Sequence, residues 1–205
     1  EEDVMFQRMC RDFCVKELRP RYTANLSETS VPTDLVKRMG DVGMFGLMQP
    51  EKHGGQPGSF VMLGIIAEEL SREFFDLGML PAMARTVCDG AMTLSEEKQK
   101  EIMPKSISGE YLCSFAMTET EVGSDAAHMR LRATKDGDDY ILNGEKASIS
   151  YACQAEYGLV FGVTDPSKGV RGVNAFVVPF NTPGIERTVI PYFGAKGMGE
   201  SSVIF

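Results

Sequence analysis

Ten consecutive residues carry the densest chemistry in this chain. Ala116, Met117, Thr118, Glu119, Thr120, Glu121, Val122, Gly123, Ser124 and Asp125 follow an apolar run expected to be a strand. They gather hydroxyls, a glycine and main-chain N–H groups into one turn. A turn of that make-up offers donors to an anionic or heteroaromatic ligand. Serine and threonine clusters also cap turns without binding anything, so composition alone leaves both readings open. The five cysteines, Cys10, Cys14, Cys88, Cys113 and Cys153, each sit in an apolar stretch. An odd number makes a poor disulfide framework, and they read as small core residues in a reducing compartment. Cys10 and Cys14 are four apart, but His53 and His128 are both distant from them in sequence, so no metal site is expected.

The elements that must position this turn divide the chain in two. In residues 3–18 the apolar set Phe6, Met9, Cys10, Phe13 and Cys14 recurs at spacings of three and four, which predicts a helix that Pro20 stops. A second helix follows Pro32 and ends in the Gly-rich segment from Gly43 to Gly58. A third runs from Ser59 to about Gly78 with Phe60, Leu63, Ala67, Leu70 and Phe74 on one stripe, and a fourth covers Pro81 to Leu94. A fifth starts at Ser95, an N-cap followed by Glu96 and Glu97, and closes before Pro104. Beyond Gly109 the pattern changes to short β-rich runs, at 111–118, 129–134, 140–143, 157–164, 173–178 and 201–205. Asp136, Gly137 and Asp138 form a hairpin turn between two of them. The expected fold class is therefore α+β: an all-α domain over residues 1–110, then an antiparallel, barrel-like β domain over 111–205.

Bulk properties exclude other functions. The 205 residues carry a formal charge of −8 and no segregated basic face, which argues against a nucleic-acid partner. No apolar run approaches the roughly 20 residues of a membrane helix, and the chain opens on Glu1, Glu2 and Asp3 rather than a basic leader. A soluble protein, or a soluble piece of one, is expected.

The segment Thr118, Glu119, Gly123, Ser124, Asp125 resembles the flavin-binding signature of the acyl-CoA dehydrogenase family. Leu142 to Ser150, with Asn143, Gly144 and Lys146, resembles that family's second flavin segment, at the same separation from the first. The Glu-x-His-Gly-Gly loop at Glu51 to Gly55 and the run Lys196, Gly197, Met198, Gly199 match as well. The resemblance implies FAD along Phe115, Met117, Thr118, Gly123 and Ser124, and again at Ser148, Ile149 and Ser150. It gives Thr118 a hydrogen bond to the flavin ring, Ser150 a place near N5, and Ser124 a role toward both pyrophosphate and thioester substrate. Glu119 and Asp125 read as scaffold, because a carboxylate beside an anionic reduced flavin would be repelled. The implied reaction is α,β-dehydrogenation of an acyl-CoA or acyl-carrier thioester, with electrons passed to an electron-transfer flavoprotein or similar acceptor. A homo- or hetero-oligomer is implied, in the cytoplasm, or in the mitochondrial matrix if the source is eukaryotic.

Departures from the family pattern matter. Ser148 stands where an aromatic often covers one flavin face, and the chain has no Trp; Tyr151 is a neighbouring candidate for that cover, or an ordinary packing residue. Val122 and His128 replace smaller residues. Family members continue into a C-terminal helical domain that supplies the usual catalytic glutamate, and this sequence stops at Phe205. A flavin monooxygenase or oxidase on the same scaffold, and a non-catalytic fragment or partner subunit, are the alternatives. Within the helix expected to line the acyl chain, at Met79 to Met92, Asp89 is an unexpected ionisable residue. Two readings stand: a desolvated carboxylate that moves a proton, or an ion-pair partner of Arg85 one turn earlier.

Overall fold

The computed structural model describes residues 2–205. Six α-helices come first: α1 (Glu2–Phe13), α2 (Arg19–Asn25), α3 (Thr33–Asp41), α4 (Phe60–Glu73), α5 (Leu80–Ala91) and α6 (Glu96–Ile107). Eight strands follow: β1 (Cys113–Ala116), β2 (Arg132–Asp136), β3 (Asp139–Asn143), β4 (Glu145–Ile149), β5 (Tyr157–Val163), β6 (Val173–Pro179), β7 (Glu186–Val189) and β8 (Ser201–Ile204). The fold is α+β, as its sequence pattern implies.

Neither proline stops its helix. A π-helical turn at Cys14–Leu18 carries α1 into α2, and Pro20, just past that turn, leaves one carbonyl of the preceding turn without an N–H donor but does not end the helix. Helix α6 runs through Pro104 to Ile107. The acceptor that Pro104 leaves unmatched belongs to exposed Lys100, where water can reach it. Ser95 caps α6 as expected, its hydroxyl accepting from the Lys98 N–H. The stripe expected on α4 is shifted. Phe60 is exposed beneath the Arg85 guanidinium, while Ile66, Glu69, Leu70 and Phe74 face the interior.

The strands do not close into a barrel and are not all antiparallel. They form two separate sheets. In one, β1 and β2 share an edge of β5 and run parallel to it, β6 pairs antiparallel on the other edge, and β3 extends β2 through the expected hairpin. In the other, β4, β8 and β7 are antiparallel. A parallel pair needs a long crossover, and here β2 to β4 lie in the connection from β1 to β5. Strands β4 and β7 have no clean alternation in sequence and escape notice there. The main core runs through both halves. Leu35, Ile66, Leu70, Phe74 and Leu80 of the helices join Ile149, Tyr151, Val160, Phe180 and Val203 of the strand region. Helix α5 lies directly on the larger sheet, and a Cβ at its Gly90 would meet Leu159 and Val177 at 2.7 and 3.0 Å. Cys10, Cys14, Cys88 and Cys113 are buried and Cys153 is half-buried, all five as free thiols.

Candidate functional site

Strand β1 is an edge strand, and past Ala116 the chain leaves the sheet. The turn then closes on itself: Glu119 N–H donates to Val122 O at 2.9 Å, and Val122 N–H donates back at 3.2 Å. Its keel is the Glu119 carboxylate, which is buried and accepts from the N–H groups of Arg130 (2.6 Å) and Leu131 (2.9 Å) and from Lys146 Nζ (2.9 Å). Lys146, fully buried on β4, also donates to Met117 O at 2.9 Å, and Ala147 N–H donates to Thr118 O at 2.9 Å. These bonds stitch together two segments almost thirty residues apart in sequence. Burial works against the ionised form of Glu119, but the Lys146 ammonium and the two N–H donors outweigh it and hold the carboxyl below the usual range. Burial draws the lysine down too, with Glu119 opposing. Glu119 is thus scaffold.

With its carbonyls engaged from beneath, the turn presents donors outward. Among the described residues none accepts from the N–H groups of Met117, Thr118, Gly123 or Ser124, nor do the Thr118 and Ser124 hydroxyls find protein partners. Thr118 is half-buried, and Gly123 and Ser124 are exposed. Such a row of unpaired donors suits an anionic or carbonyl-bearing ligand. Phe115 tilts against Phe161 with centroids 5.1 Å apart, and the Met117 side chain packs near Val122 and Met129.

The second segment lies alongside and is distorted. The pairing of β4 with β8 slips between Lys146 and Ile149, and exposed Ser148 has φ of +55°. Bulges and left-handed non-glycine residues of this kind concentrate at functional sites. Ile149 is buried, while half-buried Ser150 donates its hydroxyl to the Glu200 carboxylate and accepts at its carbonyl from Ser114 Oγ at 2.7 Å.

Other expectations fare differently. Tyr151 is not a free aromatic cover: it is 1% exposed, and its hydroxyl donates to Asp76 O at 2.8 Å. Asp125 and His128 form an exposed pair at 2.7 Å. Asp89 lacks the desolvation that a proton-moving carboxylate requires. Its side chain is 49% exposed and takes Arg85 Nε at 3.2 Å and Gln49 Nε2 at 2.9 Å. The i,i+4 ion pair is the reading that the geometry favours. Sequence reasoning left Lys146 without a role, although a lysine inside a strand of a matched segment is a signal, since lysine is rarely buried unpaired. Glu200 carried no signal of its own.

A helical layer on a mixed sheet, with a donor-lined turn stitched to a bulged strand, makes this an α+β fold. The sequence matches the family model described as "Acyl-CoA dehydrogenase, N-terminal domain" over residues 1–110 and that described as "Acyl-CoA dehydrogenase, middle domain" over residues 114–205. The chain belongs to the acyl-CoA dehydrogenase family. It is 34% identical over 186 residues to an acyl-CoA dehydrogenase of Bacillus subtilis (strain 168), an alignment covering 90% of this chain and 49% of that protein. A solved glutaryl-coenzyme A dehydrogenase–glutaryl-CoA complex superposes with a TM-score of 0.91 at 32% identity, over 100% of this chain and 53% of the other. A Mycobacterium smegmatis glutaryl-CoA dehydrogenase in complex with FADH2 superposes at 0.89 and 26% identity, over 100% and 52%. The chain therefore spans about half the length of the relatives it matches.

Proposed function

We propose that the protein to which these residues belong is an FAD-dependent oxidoreductase that dehydrogenates the α,β-bond of an acyl thioester. The observation that carries this reading is the row of unpaired donors at Met117, Thr118, Gly123 and Ser124, held beside the bulge at Ser148–Ser150. Those residues fit a flavin: free N–H and hydroxyl groups match ring carbonyls and pyrophosphate oxygens, and the Glu119 carboxylate of the same turn is turned inward onto Lys146. Bound there, FAD supplies the acceptor for a hydride from the thioester β-carbon. This chain's own residues bind and orient. Thr118 and the Met117 N–H would hold the ring, Gly123 and Ser124 would take the pyrophosphate and the thioester ligand, and Phe115 and Ile149 would back them. Ser150, fixed by Glu200, would bond near the ring. Removal of the weakly acidic α-proton requires a desolvated base that none of these residues provides. Electrons then pass to an electron-transferring flavoprotein or a similar acceptor, and the protein works as an oligomer. Five free thiols suit a reducing compartment.

Anaerobic titration of the full-length, flavin-loaded protein with straight-chain acyl-CoA thioesters tests the reaction. Bleaching of the oxidised flavin band with formation of the enoyl thioester is expected. A loaded protein that binds such thioesters and bleaches with none of them, straight, branched or cyclic, would contradict the reading.

A further inference from the structure

A polar cavity of about 480 Å3 lies away from the donor turn, in the size range of small-molecule sites. Strands β1 and β5 pair in parallel from Cys113 and Tyr157 to Ala116 and Val160. The cavity opens where they start, beside Tyr111, Glu156 and Tyr157, whereas the donor turn follows their far end. The length of β1, about 10 Å for a strand of this size, separates the two. Lys98 and Glu101 of α6, Asn181 of the β6–β7 connection and Arg187 of β7 complete the polar wall. Glu156 and Asn181 are exposed and Arg187 is half-buried, so solvent reaches the cavity.

Four charged side chains line this cavity, and two of them satisfy each other. Lys98 Nζ donates to Glu101 at 2.8 Å, and Glu101 also accepts from the Tyr157 hydroxyl at 3.0 Å. The other two, Arg187 and Glu156, are opposite in sign, yet main-chain anchors keep them from pairing. Arg187 Nη1 donates to Ala152 O at 2.8 Å and to Ala155 O at 2.9 Å, and its guanidinium carbon lies 5.8 Å from the centre of the Phe180 ring. Glu156 Oε2 accepts from the Leu112 N–H at 2.7 Å, while the Glu156 main chain bonds to Leu112 and Phe180. Among the described residues, Nε and Nη2 of Arg187, Oε1 of Glu156 and the Asn181 amide have no partner. A fixed guanidinium with two spare donors takes both oxygens of a carboxylate, and a carboxylate with a spare oxygen takes an ammonium. Because both side chains are already anchored, a ligand has little left to order.

We infer that this cavity is a binding site for a small aminocarboxylate zwitterion, which bridges the separated pair with its carboxylate on Arg187 and its ammonium on Glu156. A simple anion would leave Glu156 unmatched and be repelled by it, and a simple cation would meet the same difficulty at Arg187. The Asn181 amide adds a neutral donor to the carboxylate side. The site is separate from the proposed flavin and thioester chemistry and does not depend on it.

Calorimetric titration of the full-length protein as purified tests this with pairs in which a methyl replaces the ammonium: glycine against propanoate, β-alanine against butanoate, and 4-aminobutanoate against pentanoate. Propylamine serves as the cation without a carboxylate. For at least one pair, wild type is expected to bind the zwitterion at least ten-fold more tightly than its carboxylate partner and than propylamine. Glu156→Gln, whose amide oxygen still accepts from the Leu112 N–H, should remove that preference without moving the unfolding midpoint. Arg187→Lys, which keeps the charge but loses the planar fork, should weaken the zwitterion at least ten-fold; where it folds poorly, Glu156→Gln decides. Equal binding within every pair overturns the inference, and so does a preference that survives Glu156→Gln. Displacement of the zwitterion by butanoyl-CoA would put it in the thioester site and overturns the inference as well, leaving the thioester reading intact.

Discussion

At the scale of single residues, the site separates side chains that hold the turn from those that face outward, and the two groups make opposite predictions. Thr118 has no protein partner for its hydroxyl, so Thr118→Val should leave the unfolding midpoint unchanged while weakening FAD binding by about five-fold, the equivalent of ~1 kcal/mol for one neutral hydrogen bond. Equilibrium FAD titration of the apoprotein measures this. Glu119 is the reverse case. Glu119→Gln strands the buried Lys146 ammonium and should destabilise the fold by about 3–5 kcal/mol in urea unfolding. Joint replacement of the pair by apolar residues should cost less. The pH dependence has a definite sign. The folded Glu119 carboxyl titrates below the roughly 4.3 of a free glutamate, so its contribution is fully present at neutral pH. That contribution begins to fall below about pH 4.3 and is lost as pH drops through the lower folded value. Acid unfolding of wild type should therefore be steeper over that range than acid unfolding of the apolar double variant.

At the scale of elements, helices meet neighbours through glycines that admit no side chain. Helix α3 touches the turn after α6 at Gly40, where a Cβ would lie 2.0 Å from the Ser108 carbonyl oxygen. A backbone atom cannot swing away, so Gly40→Ala should lower stability by about 1–3 kcal/mol despite the better helix propensity of alanine. Gly64 in α4 meets nothing within 4 Å, and Gly64→Ala should stabilise by up to ~1 kcal/mol. Differential scanning calorimetry on both variants gives the comparison. The helices are legible in sequence because amphipathic spacing is local, and α3, α5 and the Ser95 cap lie where that spacing puts them. The helix ends are not legible. Whether Pro20 or Pro104 breaks a helix depends on what lies at the acceptor it orphans, which sequence does not display. The sheet order is hidden for a related reason. The parallel pairing of β1 with β5 joins residues more than forty apart, and β4 carries its register slip inside a segment read for chemistry rather than for pattern.

For the whole molecule, the main core binds the helical layer to the sheets and joins Leu80 and Ala84 of α5 to Ile149 of the bulged strand, while the donor turn rests on a separate apolar cluster of Val122, Met129 and Val163 and on the bonds of Lys146. The two flavin-like segments were legible as motifs, and the family match extends along the chain. Their physical connection was not legible, because it runs through the buried Lys146 and the Thr118 carbonyl. The central claim is that this scaffold holds FAD, and absorbance spectroscopy of the full-length protein purified under native conditions tests it most directly. The account predicts oxidised-flavin bands corresponding to about one FAD per chain, present on isolation or restored by incubation with FAD. A well-folded full-length protein that shows no flavin bands even after reconstitution would contradict it.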